Sequence, residues 1–372
     1  MRIGINLLYL IPDVVGGTET YAAGLLSGLS QIDQENDFFL FVNQSAADWP
    51  IPENKNFIRV ICPVKGLLRY QRYFFEQCRL PELLSQYKID LVHSLAYVGP
   101  LRSPCPSVIT IHDLNFIDLA QTIGVSRRFV LRFFSTQTAK RANHVLTISN
   151  FSKERLCEKL KIPKQKITVI LLSADNKIDV NPSIQADELL RHYGIKKPYF
   201  LAFGSSTLHK NISPLIQAFA LLKDSLPHNL VLVGHLPPDV NLSVLFSDPD
   251  MNGRLIATGY VPNNHVGPLL SGADLFVFPS LYEGFGLPLL EAQKADVAVA
   301  CSSAGSLPEI AGKSAVFFDP SSVSAMAQTI YRCLSDDNLR TELRRLGREN
   351  LSRFSWRKTA AETLAVYKRI LN

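Results

Sequence analysis

Glu283 and Glu291 stand eight positions apart with Gly284-Phe285-Gly286-Leu287-Pro288 between them. Two glycines let a backbone come close to a ligand, and proline suits the first turn of a helix. The segment therefore reads as a tight loop running into a helix N-terminus. Such a terminus carries unpaired N–H groups and a partial positive charge, a natural seat for a phosphate or diphosphate. Either carboxylate would be repelled by that phosphate, so the natural partners of both are hydroxyls. Diphosphate at the helix end with hydroxyls on either side describes a nucleotide sugar. Each acid also has an ordinary reading, Glu283 as a solvated loop residue and Glu291 as a helix-start acid favoured by the dipole. Local physics alone weighs the two readings equally.

Three further places could join that chemistry. Lys210, in Leu208-His209-Lys210-Asn211, follows the run 199–204 and the turn Ser205-Ser206-Thr207. A lysine near a helix start is unfavourable with the dipole unless an anion sits there, so a phosphate partner is the more economical account. His112 and Asp113 follow the run PSVITI, which places the imidazole at a strand end, pointing into a cleft. A lone histidine there is as easily structural as functional. Gly16-Gly17-Thr18-Glu19 makes a glycine turn opening a helix from Tyr21 to Leu29, with Thr18 placed to cap it. Gly259-Tyr260-Val261-Pro262 has turn chemistry that could present backbone groups to a base or serve as a plain turn.

These residues need elements to hold them. The run Leu275-Phe276-Val277-Phe278 is apolar without alternation, as in a strand buried on both faces of a parallel sheet. Similar runs recur near 2–9, 38–43, 57–61, 90–93, 107–111, 144–148 and 167–171, then near 199–204, 229–234, 254–258, 297–301 and 315–318. Longer mixed segments separate them, which argues for repeated βα units. A polar stretch at 173–197 is the best boundary. The expectation is an α/β protein of two doubly wound, Rossmann-like domains with a cleft between them. In open α/β sheets ligands bind beyond the carboxyl ends of the strands, where every motif above lies. The dinucleotide fingerprint G-x-G-x-x-G is absent after the first strand, and the 284–289 segment lacks its third glycine, which weakens a dehydrogenase reading.

Composition narrows the class. The chain has 372 residues, 47% hydrophobic and 19% charged, as expected of folded globular domains. No apolar run approaches a membrane span, and the start reads as a first strand rather than a signal peptide. Six scattered cysteines lack paired spacing, so neither a disulfide framework nor a zinc site is indicated, and a cytoplasmic location is expected. The net charge of +6 concentrates between residues 60 and 145, which hold 11 basic and 5 acidic residues. There Arg69, Arg72 and Arg79 interleave with Tyr70, Tyr73, Phe74 and Phe75, and Arg127, Arg128 and Arg132 with Phe129, Val130, Phe133 and Phe134. A solvated basic face or peripheral contact with an acidic membrane surface would each explain them. Nucleic acid fits poorly, because no binding motif accompanies the charge.

Taken together, GGTE, TIHDL, FGSSTLHKN, TGYVP, ADLFVFPSLYEGFGLPLLEA and SLPEIAG resemble the retaining glycosyltransferases of family four, with the GT-B fold. The most specific element is the spacing of Glu283 and Glu291 around Gly-Phe-Gly. The resemblance implies an acceptor-binding domain over 1–175, a nucleotide-sugar-binding domain over 176–355, and a helix over 356–372 crossing back to the first. It implies that Glu291 binds the donor ribose, Glu283 the hydroxyls of the transferred sugar, Lys210 the diphosphate and His112 the sugar. Phe285, Gly286 and Leu287 would add backbone contacts, and Gly17 would border the diphosphate and acceptor. Gly204, Ser205, His209, Tyr260, Val261 and Gly284 complete the implied donor set. Two positions depart from the pattern: His209 stands where arginine is common, and Asp296 where glycine is favoured.

The implied reaction is hexosyl transfer with retention from a nucleoside-diphosphate sugar, GDP-mannose first and a UDP-hexose second, to a glycan or lipid-linked acceptor. A front-face mechanism is implied, with a covalent route through Glu283 as the alternative. No cofactor and no metal are expected in this family. Asp248-Pro249-Asp250 has the spacing of a metal-binding pair but lies in a loop far from the motifs. A sugar-nucleotide epimerase of the same architecture, or a non-catalytic nucleotide-sugar binder, would share the donor contacts.

Overall fold

The computed structural model describes residues 1–119, 124–174, 186–205, 207–236 and 253–372. They divide into two compact units, Met1–Ser173 with Phe354–Asn372, and Ala174–Arg353. Asp248 and Asp250 fall outside the described residues.

The first unit is a seven-stranded parallel sheet of β1 (Arg2–Leu7), β2 (Asp37–Asn43), β3 (Phe57–Cys62), β4 (Leu91–Ser94), β5 (Ser107–Thr110), β6 (His144–Thr147) and β7 (Ile167–Val169), in the order β3-β2-β1-β4-β5-β6-β7. The second is a six-stranded parallel sheet of β8 (Tyr199–Gly204), β9 (Asn229–Gly234), β10 (Leu255–Gly259), β11 (Leu275–Phe278), β12 (Val299–Ser302) and β13 (Val316–Phe318), in the order β10-β9-β8-β11-β12-β13. Each strand lies where an apolar run predicts one, with ends shifted by a few residues. The cause is burial on both faces: β4, β6, β11 and β12 have no exposed residue, so nothing polar interrupts them.

In each sheet the order reverses once, between β1 and β4 and between β8 and β11. A doubly wound sheet opens a crevice at that reversal, outside the carboxyl ends of the two strands.

Helix starts follow local chemistry with one correction. The first helix is Gly17–Ile32, longer than expected, and its N-cap is Gly16 at φ 56°. Thr18 does not cap it; its hydroxyl donates to the Val15 carbonyl at 3.0 Å. The left-handed Gly16 turns the chain into the helix one residue too early for a Thr18 cap. Asp296, the departure from glycine, lies just past the helix Leu287–Lys294 at φ 59°. That left-handed position is where glycine is ordinarily favoured. Aspartate is among the few other residues that tolerate it, and here it also pairs with Arg348 at 2.5 Å.

The closing helix Trp356–Leu371 packs on the first helix, and the contact needs small residues. A Cβ at Gly24 would lie 2.2 Å from the Trp356 indole, and one at Gly28 would lie 2.3 Å from the Trp356 carbonyl oxygen. A buried polar chain adds to this seam. His93 on β4 lies 2.5 Å from the Tyr367 hydroxyl through Nδ1 and 2.8 Å from Thr110 through Nε2, and Tyr21 reaches Thr110 at 3.0 Å. Burial, then nearby His112, lowers the His93 pKa to about 3, so the network holds an uncharged ring.

Alanine at Gly24 or Gly28 would gain up to about 1 kcal/mol of helix propensity, yet overpacking a tight contact costs roughly 1–3 kcal/mol. Against a buried indole and a backbone carbonyl the second effect wins. Each variant should lower the urea midpoint of the first unit, followed by the fluorescence of Trp49 and Trp356. A midpoint equal to or above the parent's would mean that the helices do not meet at these glycines.

Candidate functional site

β8 and β11 are neighbours, with Phe200 opposite Leu275 and Leu201 opposite Phe276. Each feeds a loop at the reversal in strand order. After β8 the chain passes Gly204 and Ser205 to a 3-10 turn, Leu208–Lys210, and then through Asn211 at φ 59° into the helix Ile212–Ala220. Lys210 thus ends the turn rather than opening the helix. After β11, Pro279 and Ser280 lead to the loop 281–286 and the helix Leu287–Lys294, which has Gly286 as N-cap and Pro288 in its first turn.

The two loops are tied together. The Leu281 N–H donates to the His209 carbonyl at 2.7 Å. Beyond that bond the Lys210 ammonium meets Glu283 Oε1 at 2.6 Å. Nζ also lies 5.7 Å from the centre of the Phe278 ring. The lysine side chain is 27% exposed and the glutamate 12%, so the pair is largely withdrawn from water. The two residues expected to hold different parts of a donor hold one another here.

Glu283 is positioned from below by residues whose role the sequence did not reveal. The Ser306 N–H donates to the Glu283 carbonyl at 3.1 Å, and the Ser306 hydroxyl lies 3.1 Å from that carbonyl and 2.9 Å from the Phe285 carbonyl. Gly305, at φ 63°, passes so close that a Cβ would stand 2.5 Å from the Glu283 oxygen. The signal available was a glycine just before the SLPEIAG segment, a residue that both a left-handed backbone and a close backbone approach call for.

A second feature lines the same rim, and of its three glycines the sequence reading names two, Gly204 and Gly259, but not Gly234. Gly204, Gly234 and Gly259 end β8, β9 and β10 and are register partners in turn. A Cβ at Gly204 would stand 2.9 Å from the His235 carbonyl, and one at Gly234 would stand 2.7 Å from the Gly204 carbonyl. The strand ends there present backbone without side chains.

The other expected donor residues in this unit differ in exposure. Phe285 is buried at 3% exposure and Val261 at 7%, so both can offer only backbone to a ligand. Gly284 and Leu287 flank Phe285 and Gly286 at the loop-to-helix turn. Tyr260 is exposed at 72%. The Ser205 hydroxyl lies 2.7 Å from that of Thr207. Glu291 stands half-buried on the helix Leu287–Lys294. His209 is half-buried, and burial followed by the Lys210 charge lowers its pKa below 6.5, with Glu283 acting in the opposite sense. Its ring is therefore uncharged at neutral pH, unlike the arginine common at this position.

Gly17 and His112 belong to the first unit. Gly17 is exposed, at the first position of its helix. His112 follows β5 and is buried at 4% exposure. Its Nε2 lies 2.9 Å from the Leu95 carbonyl, which can only accept, so the neutral ring carries its proton there. Burial lowers its pKa to about 4. The imidazole is thus a neutral hydrogen-bonding group with Nδ1 as its acceptor, and it does not act as an acid near neutrality.

The family model described as Glycosyltransferase Family 4 matches residues 15–175. The model described as Glycosyl transferases group 1 matches residues 187–350. O-antigen chain mannosyltransferase B of Escherichia coli is 28% identical over 365 residues, covering 95% of this chain and 96% of its own. MMP alpha-(1->4)-mannosyltransferase of Mycolicibacterium hassiacum is 28% identical over 304 residues, covering 76% of this chain and 71% of its own. Sucrose-phosphate synthase of Thermosynechococcus elongatus superposes with a TM-score of 0.79 at 19% identity, over 100% of this chain and 99% of its own. The fold is GT-B, and with both halves matched in order the chain belongs to the family-four glycosyltransferases.

Proposed function

We propose that the chain transfers mannose, with retention, from GDP-mannose to a hydroxyl of a glycan or lipid-linked glycan in surface polysaccharide synthesis. The observation that carries this reading is the half-buried meeting of Lys210 and Glu283 where the strand order reverses. It sets an ammonium for the diphosphate beside a carboxylate for sugar hydroxyls. The donor sugar rests on the mannosyltransferase names of the two relatives.

In the front-face form, the acceptor oxygen bonds to the anomeric carbon as the bond from that carbon to the phosphate oxygen breaks. The acceptor's proton passes to the departing phosphate oxygen. Negative charge grows on the diphosphate, met by Lys210 and the backbone N–H groups at the helix start, while the sugar gains oxocarbenium character beside Glu283. Glu291 holds the ribose. No metal is needed where an ammonium and a helix terminus take the diphosphate charge.

The test is release of nucleoside diphosphate from a panel of nucleotide sugars, with and without candidate acceptors and with a chelator. Release should require acceptor and survive the chelator. Turnover without acceptor would favour an epimerase or hydrolase. Glu283→Gln should lower turnover at least about a hundredfold, the scale for losing one transition-state electrostatic contact, whereas Glu291→Ala should first weaken donor binding. A Glu283→Gln enzyme as fast as the parent would remove that residue from the chemistry.

His209 gives a pH signature. The free protein holds its pKa below 6.5, and a bound diphosphate favours the imidazolium and raises it. The complex then binds more protons than the free protein, so the extra affinity is present at low pH and lost as pH rises through the bound-state value. Donor affinity should fall a few fold between about pH 6 and 8, and His209→Arg should flatten that profile. Parallel profiles would mean that His209 faces away from the diphosphate.

The first unit supports peripheral docking on an acidic membrane surface. Leu67, Tyr70 and Phe74, on and just before the helix Arg69–Gln86, are 69%, 74% and 66% exposed, and Val125 and Phe129 on the helix Val125–Arg141 are 73% and 71% exposed. A Tyr73–Phe134 stack at 5.3 Å joins the two helices. So much apolar surface is more than a solvated basic face requires. Among the described residues no helix is long and apolar enough to cross a membrane. The protein should sediment with anionic vesicles at low salt, and both added salt and the double change Phe74→Ala with Phe129→Ala should release it. Equal recovery with neutral vesicles would end this reading.

A further inference from the structure

Lys210 and Glu283 satisfy each other at 2.6 Å, although each is proposed to hold a different part of one donor. Neither backbone is free to withdraw. The turn carrying Lys210 is bonded to the glutamate's own loop through His209 and Leu281. The Glu283 carbonyl is held by Ser306, with Gly305 lying against it. Side-chain rotation is therefore enough to separate the pair while both backbones keep these bonds.

We infer that the Glu283 carboxylate competes with the diphosphate for the Lys210 ammonium, and that this competition separates intact donor from spent nucleoside diphosphate. The inference rests on the donor site proposed above. An incoming diphosphate can occupy the ammonium only with the carboxylate turned away or crowded against it, and two anions at one largely desolvated cation repel. With the whole donor bound, the displaced carboxylate finds the hydroxyls of the sugar and keeps hydrogen-bond partners. After transfer those hydroxyls leave on the product. The carboxylate then faces a bare diphosphate, and its best remaining partner is Lys210. Returning there, it weakens the hold on the nucleoside diphosphate and favours its departure. Glu283 would thus serve twice, as a contact to the sugar and as the group that helps empty the site.

The experiment is titration calorimetry on the full chain with GDP, UDP, GDP-mannose and a UDP-hexose, using the parent, Glu283→Gln, Lys210→Gln and the double variant. Glu283→Gln should tighten the nucleoside diphosphate by about fivefold to tenfold, the scale of one partly buried ion pair. It should move nucleotide-sugar affinity by less than about threefold, because lost sugar contacts offset the freed ammonium. In the Lys210→Gln background the tightening should disappear. Glu283→Asp, which draws the carboxylate back from the ammonium, should move nucleoside diphosphate affinity in the same direction and serves if the glutamine variant folds poorly. Unchanged or weaker nucleoside diphosphate binding in Glu283→Gln would overturn the inference. So would a tightening that persists undiminished without Lys210. Failure of the parent to turn over any nucleotide sugar is a different result, and it would remove the donor site on which the inference rests.

Discussion

The ion pair of Lys210 with Glu283 joins residues 73 positions apart, and most of the second unit can be understood as what makes that meeting possible. A parallel sheet puts all its carboxyl ends on one rim, and the reversal between β8 and β11 sends the two following loops to opposite sides of a crevice. The apolar interior of β8 and β11, with Phe200, Leu201, Leu275 and Phe276 fully buried, fixes the heights of those loops relative to each other. Packed strands thus fix the backbones that carry the ammonium and the carboxylate, so that only the side chains have to rearrange when a charged ligand arrives.

Absent side chains contribute as much to this site as charged ones. Gly204, Gly234 and Gly259 clear the rim, and Gly305 admits the backbone of the Glu283 loop. Chemistry is thereby separated from support. Lys210 and Glu283 act, while Gly305 and Ser306, from the connection after β12, decide where they act. A substitution at Gly305 would press on the Glu283 backbone and so alter the chemistry from behind the group that meets the ligand.

What the sequence made legible follows the range over which each interaction works. Continuous apolar runs such as 275–278 mark strands because burial on both faces acts on every residue of the run. The loop-to-helix turn at Gly286 and Pro288 was legible because both residues act on their own backbone. Thr18 misled because a cap depends on where the helix begins, and Gly16 begins it earlier. The left-handed backbone at Asp296 gives the physical reason for the glycine expected there, which residue identity alone could not. The Lys210–Glu283 pair, the place of Gly305 beneath it and the proton on Nε2 of His112 were hidden for a common reason. Each depends on a partner brought close only by the finished fold: His112 takes its tautomer from the Leu95 carbonyl, and Gly305 is required by a carbonyl 22 residues earlier.

The closing helix carries a consequence for how the chain comes into being. The first unit consists of Met1–Ser173 together with Phe354–Asn372, so its own last piece is translated after the whole of the second unit. At ordinary rates of synthesis the ribosome needs on the order of ten to forty seconds to cover the intervening segment. During that time the groove at Gly24 and Gly28 has no Trp356 to fill it, and His93 waits for the Tyr367 hydroxyl. The half of the molecule made first is therefore the half completed last, and an emerging chain holds an open apolar seam that only its final helix can close.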